Sequence, residues 1–142
     1  MSKIIVSACL LGENCKYNGG NNYDAAVAEF ILGREVIPVC PEKLAGLGIP
    51  RTPIEIQGDR VVSRDGNDVT KAIETAIAAI IKQLEGEDIE CAILKARSPT
   101  CGVRQVYDGS FTGTLVDGMG KLSLALKEAG YAVLDNEMLE EM

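Results

Sequence analysis

The sequence predicts an α/β protein: a single-domain, Rossmann-like three-layer fold with a mainly parallel sheet. Apolar runs rich in β-branched residues alternate along the chain with segments of helical periodicity, as in βαβ units. The length of 142 residues suits one domain, which we expect to span residues 1–142. A composition of 46% hydrophobic and 25% charged residues is typical of a globular protein that buries a core.

Four apolar segments are predicted as the strands of this sheet. Residues 3–8 come first and form a nearly continuous apolar run, as in strands that are buried on both faces. The second, third and last strands are predicted over residues 35–39, 90–95 and 131–134. Pro41 ends the second strand, because proline has no backbone N–H to donate to a strand ladder.

Helices are predicted between these strands. Asp24 is the expected N-cap of a helix that runs to about Leu32, and Gly33 follows it as a left-handed cap. Asp68 is expected to cap the clearest helix, over residues 69–84, because its apolar residues recur at helical spacing. This apolar stripe consists of Ile73, Ile77, Ile80, Ile81 and Leu84.

The remaining segments are predicted to be less regular. A third helix is expected over residues 119–129, and the acidic tail 136–142 is expected to be a short helix or a frayed end. Residues 54–63 suggest either a small hairpin or a loop with little regular structure. Residues 42–54 and 96–114 are predicted as irregular loops, because both contain several glycines and prolines.

The charge and the absence of histidine exclude several functions. A formal net charge of −7 opposes binding to nucleic acid, although Lys95, Arg97 and Arg104 could form a local basic patch. Without histidine, Ser-His-Asp and Cys-His sites are excluded, and acid–base chemistry has to use other groups. No apolar run is long enough to span a membrane, and the start does not resemble a signal peptide, so we expect a cytoplasmic protein without membrane contact.

Three of the five cysteines lie at or just after the ends of predicted strands. Cys9 follows the first strand, Cys40 follows the second, and Cys101 lies in the loop after the third. Ligands of parallel α/β folds bind outside the carboxyl ends of the strands, so we expect these thiols to converge there. Scattered thiolates suit a metal or an iron–sulfur cluster, and a single reactive cysteine or buried structural thiols remain as alternatives. Cys91 lies inside a predicted strand and is expected to be structural.

Six segments of the sequence carry a resemblance to a known family. They are VSACLLG at 6–12, CKYNGG at 15–20, VCPE at 39–42, GIPRTP at 48–53, KARSPTCG at 95–102 and YDGSFTG at 107–113. With these segments, which span nearly the whole chain, the sequence resembles the DUF523 family, whose characterised members are thiouracil desulfidases. It differs in having Asn18 where aspartate is usual and Lys16 where arginine is frequent.

The resemblance implies desulfuration of a small thiolated pyrimidine, of the 2-thiouracil or 4-thiouracil type, at a 4Fe–4S cluster. The three cluster ligands of the family correspond here to Cys9, Cys40 and Cys101, and the sulfur would leave on the iron that they leave open. The acid–base pair of the family corresponds to Glu42 and Ser98. Glu42 would handle protons, and Ser98 would donate a hydrogen bond or relay a proton.

Other functions are compatible with the same residues. A non-catalytic metal or iron–sulfur sensor would use the three thiols without releasing sulfide, and a small-molecule binding domain would leave them inert. Cys15 is expected to be a loop thiol or to line the cavity, because its position varies among relatives. Tyr17 and Asn22 are candidates for contact with a nucleobase, and Arg97 is a candidate to pair with a carboxylate behind the site.

Overall fold

The computed structural model describes residues 2–140 and contains eight strands and five α-helices within that range. The strands are β1 (Lys3–Ser7), β2 (Glu35–Val39), β3 (Ile54–Gln57), β4 (Arg60–Ser63), β5 (Ile89–Leu94), β6 (Gln105–Tyr107), β7 (Leu115–Asp117) and β8 (Val133–Asp135). The helices are α1 (Ala25–Phe30), α2 (Pro41–Leu44), α3 (Thr70–Leu84), α4 (Lys121–Glu128) and α5 (Asn136–Glu140).

The central sheet is parallel, as the sequence predicts. Four strands form it in the order β2-β1-β5-β8, and each neighbouring pair is parallel. All four predicted sheet strands are therefore present, although the first ends at Ser7, where a 3-10 turn over Ala8–Leu11 begins, and the last is shifted to Val133–Asp135. The hairpin β3–β4 forms a separate antiparallel pair, which confirms the prediction for residues 54–63.

Helices cover both faces of the sheet and give three layers. Ile4 and Val6 of β1 pack with Val27 of α1 on one face, and α5 contacts α1 there. Ile5 points to the opposite face and joins the core formed by α3 and α4. Successive residues of a strand point to opposite faces, so the continuous apolar run of β1 supplies both cores.

The predicted apolar stripe of α3 is the largest part of one core. Ile73, Ile77, Ile80 and Leu84 are buried, and Ile81 is partly buried against them. Each such side chain contributes roughly 1.5–3 kcal/mol when it is fully removed from water. This face of α3 therefore fixes the helix on the sheet.

Helix ends differ from prediction by one or two residues. Asp24 is the N-cap of α1, as predicted, and Gly33 has the predicted left-handed conformation with a φ of +75°. Helix α3 begins at Thr70 with Val69 at the cap position, although the Asp68 carboxylate still accepts a hydrogen bond from the Thr70 N–H at 2.9 Å. The third predicted helix begins at Lys121, after Gly120, and the tail forms α5; residues 141–142 lie outside the described range.

Both predicted irregular loops contain regular structure. Helix α2 occupies the start of the segment 42–54, because Pro41 at the first helical position has a φ suited to a helix and needs no N–H partner there. The segment 96–114 contains β6, which pairs with β7. Three-residue strands separated by glycine and serine show too little alternation for the sequence to predict them.

None of the helices within residues 2–140 is long and apolar enough to cross a membrane.

Candidate active site

A cavity of about 490 Å³ opens at the carboxyl ends of the central strands. Its walls include Ser7 at the end of β1, Val39 at the end of β2 and Lys95 just after β5. The chain moves from β1 to one side of the sheet to form β2 and then crosses back to form β5, so the strand order reverses at β1. This is the position at which open α/β sheets bind ligands.

Four of the five cysteines line this cavity. Cys9 lies in the 3-10 turn after β1, Cys40 is the residue that caps α2, and Cys101 lies in a turn after β5, where its side chain is 5% exposed. Cys15, which was not predicted as a ligand, is buried and lines the same cavity. Cys91 packs in the core with β1, as its position in a strand predicts.

The cavity disfavours thiolates at these cysteines. Burial, followed by the nearby Glu42 carboxylate, raises the pKa of Cys101 to about 12. The same two causes raise the pKa of Cys40 even further, and burial raises the pKa of Cys9. These thiols therefore hold their protons at neutral pH.

A buried carboxylate faces the thiols from the first turn of α2. Glu42 is 8% exposed, and its Oε2 accepts a long hydrogen bond from the Cys40 thiol at 3.7 Å. Its Oε1 accepts a hydrogen bond from the Thr100 hydroxyl at 2.5 Å. Both carboxylate oxygens therefore have partners inside the site.

Thr100 connects Glu42 to Ser98. The two hydroxyl oxygens, Thr100 Oγ1 and Ser98 Oγ, lie 3.1 Å apart. Since the single hydroxyl hydrogen of Thr100 is donated to Glu42, Ser98 is the donor in this contact. Ser98 Oγ also accepts from the backbone N–H groups of Thr100 and Cys101, at 3.2 and 3.1 Å, and this turn fixes the Ser98 side chain. Sequence reasoning missed Thr100, although its place directly before Cys101 put it beside a candidate ligand.

The C-terminal helix holds the segment that carries Ser98. Asn136 Oδ1 accepts from the Ala96 N–H at 2.9 Å, and its Nδ2 donates to Asp24 at 3.0 Å. Arg97 donates two hydrogen bonds to the Glu137 carboxylate, at 2.8 and 2.5 Å. Arg97 thus pairs with a carboxylate behind the site, as predicted, and α5 is a structural support of the cavity.

The glycine- and asparagine-rich loop after β1 forms another wall. Tyr17 and Asn22 both line the cavity. Arg51 supports this loop by donating to the Cys15 carbonyl at 3.0 Å. Tyr17 and Asn22 therefore lie where a bound base could touch them, in agreement with their selection from sequence.

The predicted basic patch forms only in part at this cavity. Lys95 and Arg97 line it, and its other cations are Lys16, Arg51 and Arg64. Arg104 instead pairs with Asp135, with 3.1 Å between Nε and Oδ2. The cavity is thus locally basic although the protein carries a net charge of −7.

The cavity thiols do not form a site for one metal ion. Within residues 2–140, no three cysteine, aspartate or glutamate side chains surround a point that a single ion could occupy. Cys9, Cys40 and Cys101 line the cavity from the segments that follow β1, β2 and β5, respectively. A cofactor held by these three thiols would therefore need several atoms, so that each thiol binds a different atom of the cofactor.

Comparison with known proteins gives three matches along nearly the whole chain. The sequence profile of the 2-thiouracil desulfurase family matches residues 4–138. A solved structure, that of the [4Fe–4S]-dependent thiouracil desulfidase TudS, is 36% identical in sequence, with a TM-score of 0.89 over 99% of this chain and 95% of that chain. The uncharacterised protein YbbK of Bacillus subtilis (strain 168) is 32% identical over 149 aligned positions, which cover 98% of this chain and 99% of YbbK.

Proposed function

Since this chain belongs to the 2-thiouracil desulfurase family, we propose that it removes sulfur from a small thiolated pyrimidine at a 4Fe–4S cluster held by Cys9, Cys40 and Cys101. The observation that carries the proposal is the shared cavity, in which these three thiols lie with Glu42 and Ser98. Substrates of the 2-thiouracil and 4-thiouracil type fit a cavity of about 490 Å³, which is in the usual range for small-molecule sites.

The chemistry of the donor set supports a cluster. Thiolates are the usual protein ligands of iron–sulfur clusters, and in a 4Fe–4S cluster each one binds a different iron, so three thiols that line one cavity suit such a group. Burial raises the pKa of Cys9 and Cys101, so binding has to displace the thiol protons. Positive charge from iron would offset the burial that disfavours these thiolates.

The protein would supply binding and proton transfer. When bound, the cluster would supply an open iron that accepts the sulfur of the substrate. Glu42 would take a proton from the attacking water at a carboxylate oxygen, since the chain has no histidine for this task. Ser98 would turn its hydroxyl hydrogen from Thr100 to the substrate to donate a hydrogen bond, or would pass a proton through the Thr100 hydroxyl, whose oxygen lies 3.1 Å away.

Free thiols and an oxygen-sensitive cofactor are typical of reducing compartments, so we place the protein in the cytoplasm under this proposal.

The alternative, a non-catalytic iron–sulfur sensor, would not require a buried carboxylate beside the thiols. Glu42 is such a carboxylate, with one oxygen hydrogen-bonded to Thr100 and the other to the Cys40 thiol. We therefore favour the enzyme.

Anaerobic reconstitution followed by a sulfide-release assay tests the proposal. The loaded protein should show broad absorption near about 400 nm and release sulfide from 2-thiouracil or 4-thiouracil. The Glu42→Ala variant should keep the absorption and lose roughly 10²–10⁴-fold in rate. A protein that binds the cluster but releases no sulfide from either base would be a sensor, and one that never binds iron and sulfide would contradict both functions.

Cysteine variants test the ligand set separately. Cys9→Ser, Cys40→Ser and Cys101→Ser should each lower the iron content and the absorption after reconstitution. Cys91→Ser is the matched control, since this thiol is buried in the core and does not line the cavity. Equal loading of all four variants would rule out the proposed ligands.

A further inference from the structure

Phe111 lies in the cavity wall with an unusual backbone conformation. Among residues 2–140, only two residues other than glycine have a positive φ, Arg97 at +66° and Phe111 at +59°. Both line the cavity. A left-handed conformation is unfavourable for a residue with a bulky side chain, and it persists only where surrounding contacts impose it. The loop that carries Phe111 is therefore held in one particular shape next to the site.

Glu55 imposes that shape from β3. Its buried side chain is 8% exposed, and its Oε1 accepts hydrogen bonds from the backbone N–H groups of Gly109 at 2.9 Å and Phe111 at 3.2 Å. Gln57 adds a hydrogen bond from its Nε2 to the Gly109 carbonyl at 2.7 Å. A carboxylate that accepts two backbone hydrogen bonds in a buried position is a strong anchor for a loop.

The loop backbone at Gly109 packs so closely against β3 that no side chain fits between them. A Cβ atom at Gly109 would lie 2.6 Å from the Ile56 carbonyl oxygen, closer than any side chain can approach. Only glycine allows the loop to lie so near the strand, and Gly109 also has a positive φ of +93°. The position of Phe111 thus follows from a close backbone contact as well as from the Glu55 hydrogen bonds.

The ring of Phe111 has no polar atom to contribute to the cavity. The guanidinium carbon of Arg64 lies 5.9 Å from the centre of the ring, which is within the range of a cation–π contact. The same cavity is lined by thiols, by charged groups that include Glu42 and Lys95, and by aliphatic side chains such as Ile54. A phenyl ring fixed among such groups offers the site a flat apolar surface, and a planar pyrimidine is the kind of ligand that uses one.

We propose that Phe111 is the surface on which the pyrimidine ring of the substrate stacks, and that Glu55 is a positioning residue that acts through Phe111. The proposal rests on the proposed function, since it assigns the contact that holds the ring of that substrate. Stacking depends on the ring and not on the position of the sulfur. The Phe111 contact should therefore serve 2-thiouracil, 4-thiouracil and the sulfur-free uracil alike.

Variants of Phe111 test the stacking contact. In the reconstituted protein, Phe111→Leu should raise KM for 2-thiouracil and 4-thiouracil by about fivefold or more, with a much smaller change in kcat. Phe111→Tyr keeps the ring and should stay near wild type. Phe30→Leu is the matched control: Phe30 is the other phenylalanine of the chain, it also packs beneath an arginine, with Arg34 at 4.8 Å, and it does not line the cavity.

Binding of uracil gives a readout that does not depend on desulfuration. Titration calorimetry with uracil, on the protein before and after reconstitution, should show the same loss of affinity in Phe111→Leu and none in Phe30→Leu. If wild type binds uracil through Phe111 but releases no sulfide, the proposed function fails and the stacking contact stands. If wild type releases sulfide while Phe111→Leu changes neither KM nor uracil affinity, the stacking contact is wrong.

Variants of Glu55 test its positioning role. Glu55→Ala removes the acceptor of both backbone hydrogen bonds and should raise KM and weaken uracil binding as Phe111→Leu does. Glu55→Gln keeps an acceptor oxygen and should restore most of the affinity. The double variant Glu55→Ala/Phe111→Leu should be no worse in KM than Phe111→Leu alone, because both changes remove one contact. Additive losses would show that Glu55 does not act through Phe111.

Discussion

The Thr100 hydroxyl donates a hydrogen bond to the Glu42 carboxylate, with 2.5 Å between Oγ1 and Oε1. The two residues are 58 positions apart in sequence and meet because helix α2, which follows β2, and the turn after β5 both reach the same cavity. Thr100 is fully buried, so this contact is shielded from competing water. It fixes the orientation of the carboxylate to which we assign proton transfer, and it connects that carboxylate to Ser98.

We expect the Thr100→Val variant to lower the rate of sulfide release about tenfold. The loss is smaller than the roughly 10²–10⁴-fold that removal of an acid–base group causes, because Glu42 itself remains. Valine has nearly the same shape but no hydroxyl, so Glu42 Oε1 loses a buried donor. This loss should also cost about 1–3 kcal/mol in the free energy of unfolding, measured by urea denaturation. Thr100→Ser keeps the hydroxyl and should restore the rate; a Thr100→Val variant with wild-type kcat would show that the contact is only structural.

The sequence could predict which residues of this site meet but not how they are connected. Cys9, Cys40 and Cys101 follow strands of a parallel sheet, and the geometry of such sheets brings strand ends together. The hydrogen bond from Thr100 to Glu42 depends on the conformations of two turns and on side-chain rotamers. Sequence spacing carries no information on either, so Thr100 could not be separated from other hydroxyl residues.

The role of Cys15 provides a direct test of the proposed ligand set. Cys15 lines the same cavity as Cys40, so its position alone makes it a competitor for a cluster. We expect Cys15→Ala to bind as much iron as wild type after reconstitution and to lose about 1 kcal/mol of stability, because a small buried side chain is removed. Cys101→Ala is the comparison that should lose iron. Equal iron loss in both variants would make Cys15 a ligand.

The pairing of Arg97 with Glu137 predicts an effect of the C-terminal helix on the site. Glu137→Ala removes the acceptor of both Arg97 hydrogen bonds. Because both side chains are about one-third exposed, the loss of stability should be only about 0.5–1 kcal/mol. The turn that holds Ser98 should nevertheless become less rigid, so kcat should fall severalfold in the sulfide-release assay. Glu128→Ala, on the exposed side of α4, is the control, and an equal kcat in the two variants would contradict the support role.

Structure in the segment 96–114 shows why part of the fold could not be predicted. Strand β6 has three residues and pairs with β7 across a loop that contains Gly109 and Gly113. Besides its local hydrogen bonds, the loop is held by the distant Glu55, through hydrogen bonds to Gly109 and Phe111. The short strands and the contacts from Glu55 both depend on residues that are distant in sequence, so local propensity alone predicts only a loop here. By contrast, β1 and α3 have long periodic patterns and were predicted nearly to their ends.

The Asp68 carboxylate predicts a specific acid dependence of stability. It accepts hydrogen bonds from the Thr70 hydroxyl at 2.6 Å and the Thr70 N–H at 2.9 Å, and Arg60 pairs with it as well. These contacts lower the pKa of Asp68 from an ordinary 3.8 to about 2, and the Thr70 hydroxyl is the largest cause. Between these two pH values the unfolded chain takes up a proton that the folded protein does not.

Stabilisation by the Asp68 charge should therefore be complete above the unfolded pKa and should be lost progressively as the pH falls through about 2. Asp68→Asn stays neutral at every pH, so urea unfolding of wild type and variant from pH 6 to pH 2 should give free energies that differ at neutral pH and converge at the acid end. Arg60→Gln should keep most of the dependence, because Thr70 supplies the larger effect. A difference between wild type and Asp68→Asn that stays constant across this range would mean that the Asp68 charge contributes nothing.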